Sequence, residues 1–156
     1  MARRFKIFSR CEGAAAVEFA IILPLLIFFI LGGVDIGHMF YIDHLITSAS
    51  REGARYGVKY KVNSSTNLPF VPNSLTPSIS DYVKLPAPTG LNYSNLLSSD
   101  ANLTVTPGGA GYTSNTVGAI LTVTVTANKH WFFLSGLLGF PNPKTLTATA
   151  AMTLER

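Results

Sequence analysis

The stretch that most constrains this chain is Ala14–Val34, AAAVEFAIILPLLIFFILGGV, which holds a single ionisable group, Glu18. An apolar α-helix needs about 20 residues to cross the hydrocarbon core of a bilayer. The run meets that length, and it exceeds the apolar region of a cleaved secretory signal, usually about 7–15 residues. A retained membrane span over 14–34 is therefore expected. Hydrophobic residues make up 47% of the chain and charged residues 13%. The apolar excess is concentrated in this run, and the later sequence reads as an ordinary soluble domain.

The net charge of +4 is also local. Arg3, Arg4, Lys6 and Arg10 precede the span, and such a basic leader holds the N-terminus on the cytoplasmic side. A nucleic-acid binder would need a basic face interleaved with aromatics on the folded domain, and none is visible. Cys11 is the only cysteine, which excludes an intramolecular disulfide and a cysteine-based metal site.

Glu18 requires an explanation, because an acidic residue at the centre of a span costs roughly 2.5–3.5 kcal/mol on insertion scales. Its place near the cytoplasmic end lowers that penalty. One reading is a carboxylate that snorkels to the headgroups. The other is a dedicated cationic partner. A cut between Gly13 and Ala14 would create a free α-amine one helical turn from Glu18, on the same face. The carboxylate could meet that amine in its own chain or in a neighbouring one.

The basic leader, Gly13, four small or aliphatic residues and then Glu18-Phe19 resemble the processing site of type IV-type prepilins. The longer pattern "GAAAVEFAIILP", followed by Gly32-Gly33, Asp35 and "REGARYG" at Arg51–Gly57, is similar to TadE-like minor pseudopilins of the tight-adherence (Tad) pilus. The resemblance is strong from Gly13 to Val58 and thins beyond it. It implies cleavage after Gly13 by a prepilin peptidase acting in trans, with Gly13, Ala14, Glu18 and Phe19 as the processing site. It also implies partnership with other pilin and pseudopilin subunits and the inner-membrane pilus assembly platform. It raises the expectation that Arg51, Glu52 and Arg55 dock the helix onto its own domain. Without it, these charges read as a solvated helix face with a local Glu52–Arg55 pair.

The helical pattern continues past Val34. Ile42, Leu45, Ile46, Ala49, Gly53 and Tyr56 recur at helical spacing, and Gly57 offers a stop. A helix from Ala14 to about Gly57 would measure roughly 66 Å, about twice the membrane thickness. Its second half, 35–58, should stand in the periplasm. Pro24 lacks an amide hydrogen and clashes with the Ala20 carbonyl, so a kink is expected. Gly33 and Gly37, and again Gly53 and Gly57, strip one helical face of side chains and permit close helix packing. Asp35, His38, Asp43 and His44 suggest a metal site, but at 100° per residue one helix cannot gather all four.

Residues 59–156 are expected to form a β-rich periplasmic domain. Asn63–Asp100 is rich in Pro, Ser and Asn and reads as turns, with a short helix at Ser78–Lys84 preceded by Pro77 as its first helical residue. Strands are expected at Leu103–Thr106, Val117–Ala127 and Thr145–Leu154, where threonines alternate with apolar residues. "PGGAGYTSNT" reads as a flexible hairpin loop between the first two. The apolar face of this sheet needs a cover, and the second half of the long helix is the nearest one. The aromatic stretch His130–Phe140 has two readings: core filling at the end of the sheet, or an exposed apolar loop that meets a partner pseudopilin or the membrane surface.

The expected fold is thus α+β, a pilin-like long helix packed on a small antiparallel sheet. No cofactor is expected, and no catalytic triad, phosphate loop or paired carboxylate points to an enzyme. The leading functional reading is a processed pseudopilin that initiates or tunes a pilus. The alternative is an uncleaved, single-pass inner-membrane protein that presents a periplasmic binding or scaffold domain.

Overall fold

The computed structural model describes residues 11–59, 70–85, 90–91, 93 and 103–155. The basic leader before Cys11 and much of the Pro/Ser/Asn-rich segment between Asn63 and Asp100 lie outside the described residues. Helix α1 runs unbroken over Cys11–Val58, 48 residues with Pro24 inside it. At 1.5 Å per residue it measures about 72 Å. Among the described residues it is the one helix long and apolar enough to cross a membrane.

Three strands, β1 (Thr104–Gly108), β2 (Ile120–Lys129) and β3 (Lys144–Thr153), form an antiparallel sheet with β2 in the middle. The alternation read from the sequence is the reason. Successive side chains of a strand point to opposite faces, so Leu121, Val123, Val125 and Ala127 all turn inward and are fully buried. The intervening threonines turn outward. There the hydroxyls of Thr124 and Thr149 meet at 3.1 Å, and Thr145 donates to Asn128 Oδ1 at 3.0 Å.

Ile42, Ile46, Ala49 and Ala54 of α1 cover the apolar face, joined by Ile79 and Val83 of a short helix α2 (Ile79–Lys84) and by Leu75. A sheet this small is stabilised by packing its apolar face against a helix. The helix supplies the missing layer, and the expected α+β architecture is observed.

Two local expectations are corrected. Pro77 is not the first residue of α2: the helix begins at Ile79, with Ser78 as its N-cap. The Ser78 hydroxyl oxygen accepts from the Asp81 amide at 3.1 Å while donating to the Asp81 carboxylate at 2.8 Å. A short polar side chain that serves both partners of its own first turn makes a better start than a proline. The hairpin between β1 and β2 is also more ordered than its glycines suggest. Pro107 and Gly108 extend β1, Ala110–Tyr112 form a 3₁₀ turn, and Gly109 takes φ +84°, a conformation that favours glycine.

Candidate functional site

The functional architecture lies along α1, whose two halves differ in everything except continuity. From Gly13 to Leu26 every side chain is exposed. The expected processing positions Gly13, Ala14, Glu18 and Phe19 sit on this open helix, and a Cβ added at Gly13 would have no neighbour within 4 Å among the described residues. From Asp35 onward the helix buries one side against the sheet domain.

The transition between the halves is a polar clamp. Asp35 is fully buried, and so is Lys129 at the end of β2, where the strand's two-residue period carries it onto the inner face. Lys129 Nζ lies 3.5 Å from Asp35 Oδ1, and the same ammonium donates to the His130 carbonyl. It also stands over the rings of Phe132 at 4.1 Å and Trp131 at 5.7 Å.

A buried ion pair does not stabilise a fold unless its remaining hydrogen-bonding capacity is satisfied. Here three backbone amides complete it. Phe132 donates to Asp35 Oδ1 at 2.9 Å, and Phe133 and Leu134 donate to Oδ2 at 2.8 and 3.0 Å. These amides open a third helix, α3 (Leu134–Leu138), whose own N-cap position is Phe133 and has no capping side chain. Asp35 therefore caps it from the other end of the chain. Bonds from amides to an ionised carboxylate are roughly twice as strong as neutral ones, so a few residues of loop are tied firmly to the middle of α1.

The second half docks through small residues. A Cβ on Gly57 would clash with Leu121 Cδ2 and come within 2.7 Å of Ile79 Cδ1; one on Gly53 would lie 3.0 Å from Val83 and 3.2 Å from Val123. Tyr56 secures the same end of α1: its hydroxyl donates to the Pro77 carbonyl at 2.9 Å, and its ring stacks on Tyr82 at 3.9 Å. Arg51 and Arg55 are exposed on the solvent side of this contact, and the half-buried Glu52 reaches Arg55 at 3.9 Å. Glu52 also faces Tyr93, whose phenol is pushed above its ordinary value by burial and then by the charge of Glu52. Gly33 and Gly37, by contrast, are exposed with open space where a side chain would be.

His130–Phe140 departs from the core-filling reading. Only Leu134 is buried; Phe132, Phe133, Leu137, Leu138 and Phe140 are exposed. Leu134 reaches 3.7 Å from the position of a Cβ on Gly32. Beside it an apolar groove of about 150 Å³ opens between α3 and the stretch of α1 from Pro24 to Gly32. His38 stacks on Phe132 at 5.4 Å and on Tyr41 at 6.2 Å, so its ring serves packing. No group of metal ligands forms among the described residues.

Sequence reasoning considered Asp35 only as a metal ligand or a pattern element, and it missed Lys129. The signal was present. Counting by twos from Leu121 puts Lys129 on the buried face, and a buried lysine needs an acid.

Residues 13–55 match the family model described as TadE-like protein. The matched segment lies within α1 and includes Asp35, both glycine pairs up to Gly53, and the Arg51–Arg55 charges. The resemblance read from the sequence is borne out. No curated protein and no solved structure matches the chain.

Proposed function

We propose that this chain is a minor pseudopilin of a tight-adherence pilus system, cut after Gly13 by a prepilin peptidase and used as a structural or initiating subunit in pilus biogenesis and surface adhesion. The observation that carries the reading is the division of α1. Its first turns, from Gly13 through Glu18 to Ile27, are exposed throughout, while its second half is the core helix of a folded domain. A subunit that must leave a bilayer and enter an assembly needs such a free apolar rod.

In this reading residues 14–34 cross the inner membrane once, the N-terminus is cytoplasmic, and the domain from Asp35 onward is periplasmic. Ala14 becomes the new N-terminus. Glu18 pairs with an Ala14 α-amine, in its own chain or in a neighbouring subunit, which offsets part of the penalty of burying a carboxylate. Gly33 and Gly37 accept a partner helix, and Pro24 interrupts the backbone bonding of the span. The partners are the prepilin peptidase, other pilin and pseudopilin subunits, and the assembly platform.

The test is the N-terminal residue of the protein isolated from native membranes. Ala14 is expected in cells with an active prepilin peptidase and an intact leader in cells without it. An intact leader in both would overturn processing and favour a permanently anchored scaffold. A second assay concerns Glu18→Ala. Membrane insertion should persist, because the change removes a costly group, while crosslinking to other pilus subunits and piliation should fall.

A further inference from the structure

The loop from Trp131 to Pro143 lies beside the very part of α1 read as the span. We infer that α3 and its flanking aromatics are a second membrane element, immersed in the periplasmic leaflet against the span and covered by lipid acyl chains. The inference rests on residues 14–34 crossing the bilayer, as proposed above.

Depth follows from the groove. Its α1 wall runs from Pro24 to Gly32, and its other wall is Phe133, Leu134 and Leu137. Val34 ends the span and Pro24 lies ten residues inside it. At 1.5 Å per residue that is about 15 Å, half of a hydrocarbon core about 30 Å thick. A loop that lines this wall cannot stand in water while the wall stands in lipid. Phe133 and Leu137, both exposed, border the exposed span residues Ile27 and Pro24 in this groove, so the solvent of one is the solvent of the other.

The chemistry of the loop fits hydrocarbon. From Trp131 to Pro143 there is no ionisable side chain. The sequence is bracketed by His130 and Lys144, both exposed, and Lys144 is the register partner of Lys129 across the sheet. Through Lys129 and its Asp35 contact, this sets the exposed Lys144 level with the end of the span, where lipid phosphates lie, with Trp131 near the same end as interfacial tryptophans are.

Backbone polar groups at membrane depth need partners within the protein, and this segment supplies the following bonds. The amides of Phe132, Phe133 and Leu134, which lead into α3, bond to Asp35. The Trp131 amide donates to Asn142 Oδ1 at 3.3 Å and its indole to the Pro141 carbonyl at 3.0 Å. Gly139 closes the C-terminal end by donating to the Ser135 carbonyl at 3.1 Å. Pro141 and Pro143 have no amide hydrogen to satisfy. The groove, lined only by apolar side chains, takes the segment of a fatty acyl chain.

Trp131 is the single tryptophan, so the native chain carries its own probe. In vesicles of phosphatidylethanolamine and phosphatidylglycerol, its emission should be quenched most by bromine placed high on the acyl chain, near the headgroup. A second chain, Trp131→Phe with Leu137→Trp, moves the probe to an exposed α3 position. Its emission should shift to the blue, lose most of its intensity to bromine placed deep on the acyl chain, and resist aqueous iodide. Iodide quenching at position 137 would put the loop in water and overturn the inference. Resistance to both quenchers would put it under protein, a second copy or another subunit, and would equally overturn it. If the protein does not stay with the vesicles through alkaline extraction, the span itself fails. Retention with position 137 unquenched by lipid sinks the second element alone.

Discussion

Gly33 and Gly37 have the same spacing as Gly53 and Gly57, and all four lie on one unbroken helix. The C-terminal pair is filled: Leu121, Ile79, Val83 and Val123 press into the space that side chains would occupy. The pair nearer the membrane meets nothing within 4 Å among the described residues. A glycine pair therefore tells that something approaches closely, and only the fold tells what. In one case it is the chain's own sheet. In the other the space is open among the described residues, which suits the partner helix proposed above.

The sharpest way to separate the two halves is to cut the clamp between them. Asp35→Ala leaves Lys129 buried without its acid and three amides without their acceptor, and breaking a buried pair from one side costs about 3–5 kcal/mol. Denaturant unfolding in detergent, followed by Trp131 fluorescence, should read that loss. Adding Lys129→Met should restore part of it, because the stranded charge is then gone. A loss under about 1 kcal/mol would mean that the junction is held by packing alone.

Next in size is Ile46→Ala, which opens a cavity under the sheet and should cost about 2–5 kcal/mol. Leu26→Ala, on the exposed first half, should leave the same unfolding curve within about 0.5 kcal/mol. Comparable losses at the two positions would erase the distinction between the halves.

The glycines provide the third contrast. Gly57→Ala forces a methyl against Leu121 and Ile79 and should destabilise by about 1–3 kcal/mol, even though alanine favours a helix by up to about 1 kcal/mol. At Gly33 only the helix preference operates, so Gly33→Ala should fold as well as the parent or better, and any harm should appear in subunit association. The reverse order would show that the open pair is the structural one.

The smallest effect belongs to Arg55→Ala. The pair it breaks is exposed and spans one helical turn, so the change should stay within a few tenths of a kcal/mol. A larger loss would restore these charges to the docking role that the resemblance suggested.

How much of this was legible beforehand depended on range along the chain. The long helix and the strands announce themselves through local periodicity: the threonine alternation of β2 and β3, and the stripe Ile42, Ile46 and Ala49. Asp35 and Lys129 stand 94 residues apart, and no period connects them. Each was readable alone, an acid just past an apolar run and a lysine on an apolar face. Their meeting is set by where β2 ends against α1, which only the packed structure fixes. The aromatic stretch was ambiguous for a related reason. A run of phenylalanines and leucines looks the same whether its solvent is a protein core or lipid, and composition does not distinguish the two.

The carboxylate of Asp35 is held from three directions while belonging to a helix with no break on either side of it. Turning that helix by one residue's worth of arc, 100°, would swing the oxygens away from all three amides at once. The β-domain is therefore keyed to the rod like a vane to its spindle. A rotation or tilt of the apolar end would be delivered to the threonine-covered face of the sheet as a change of bearing.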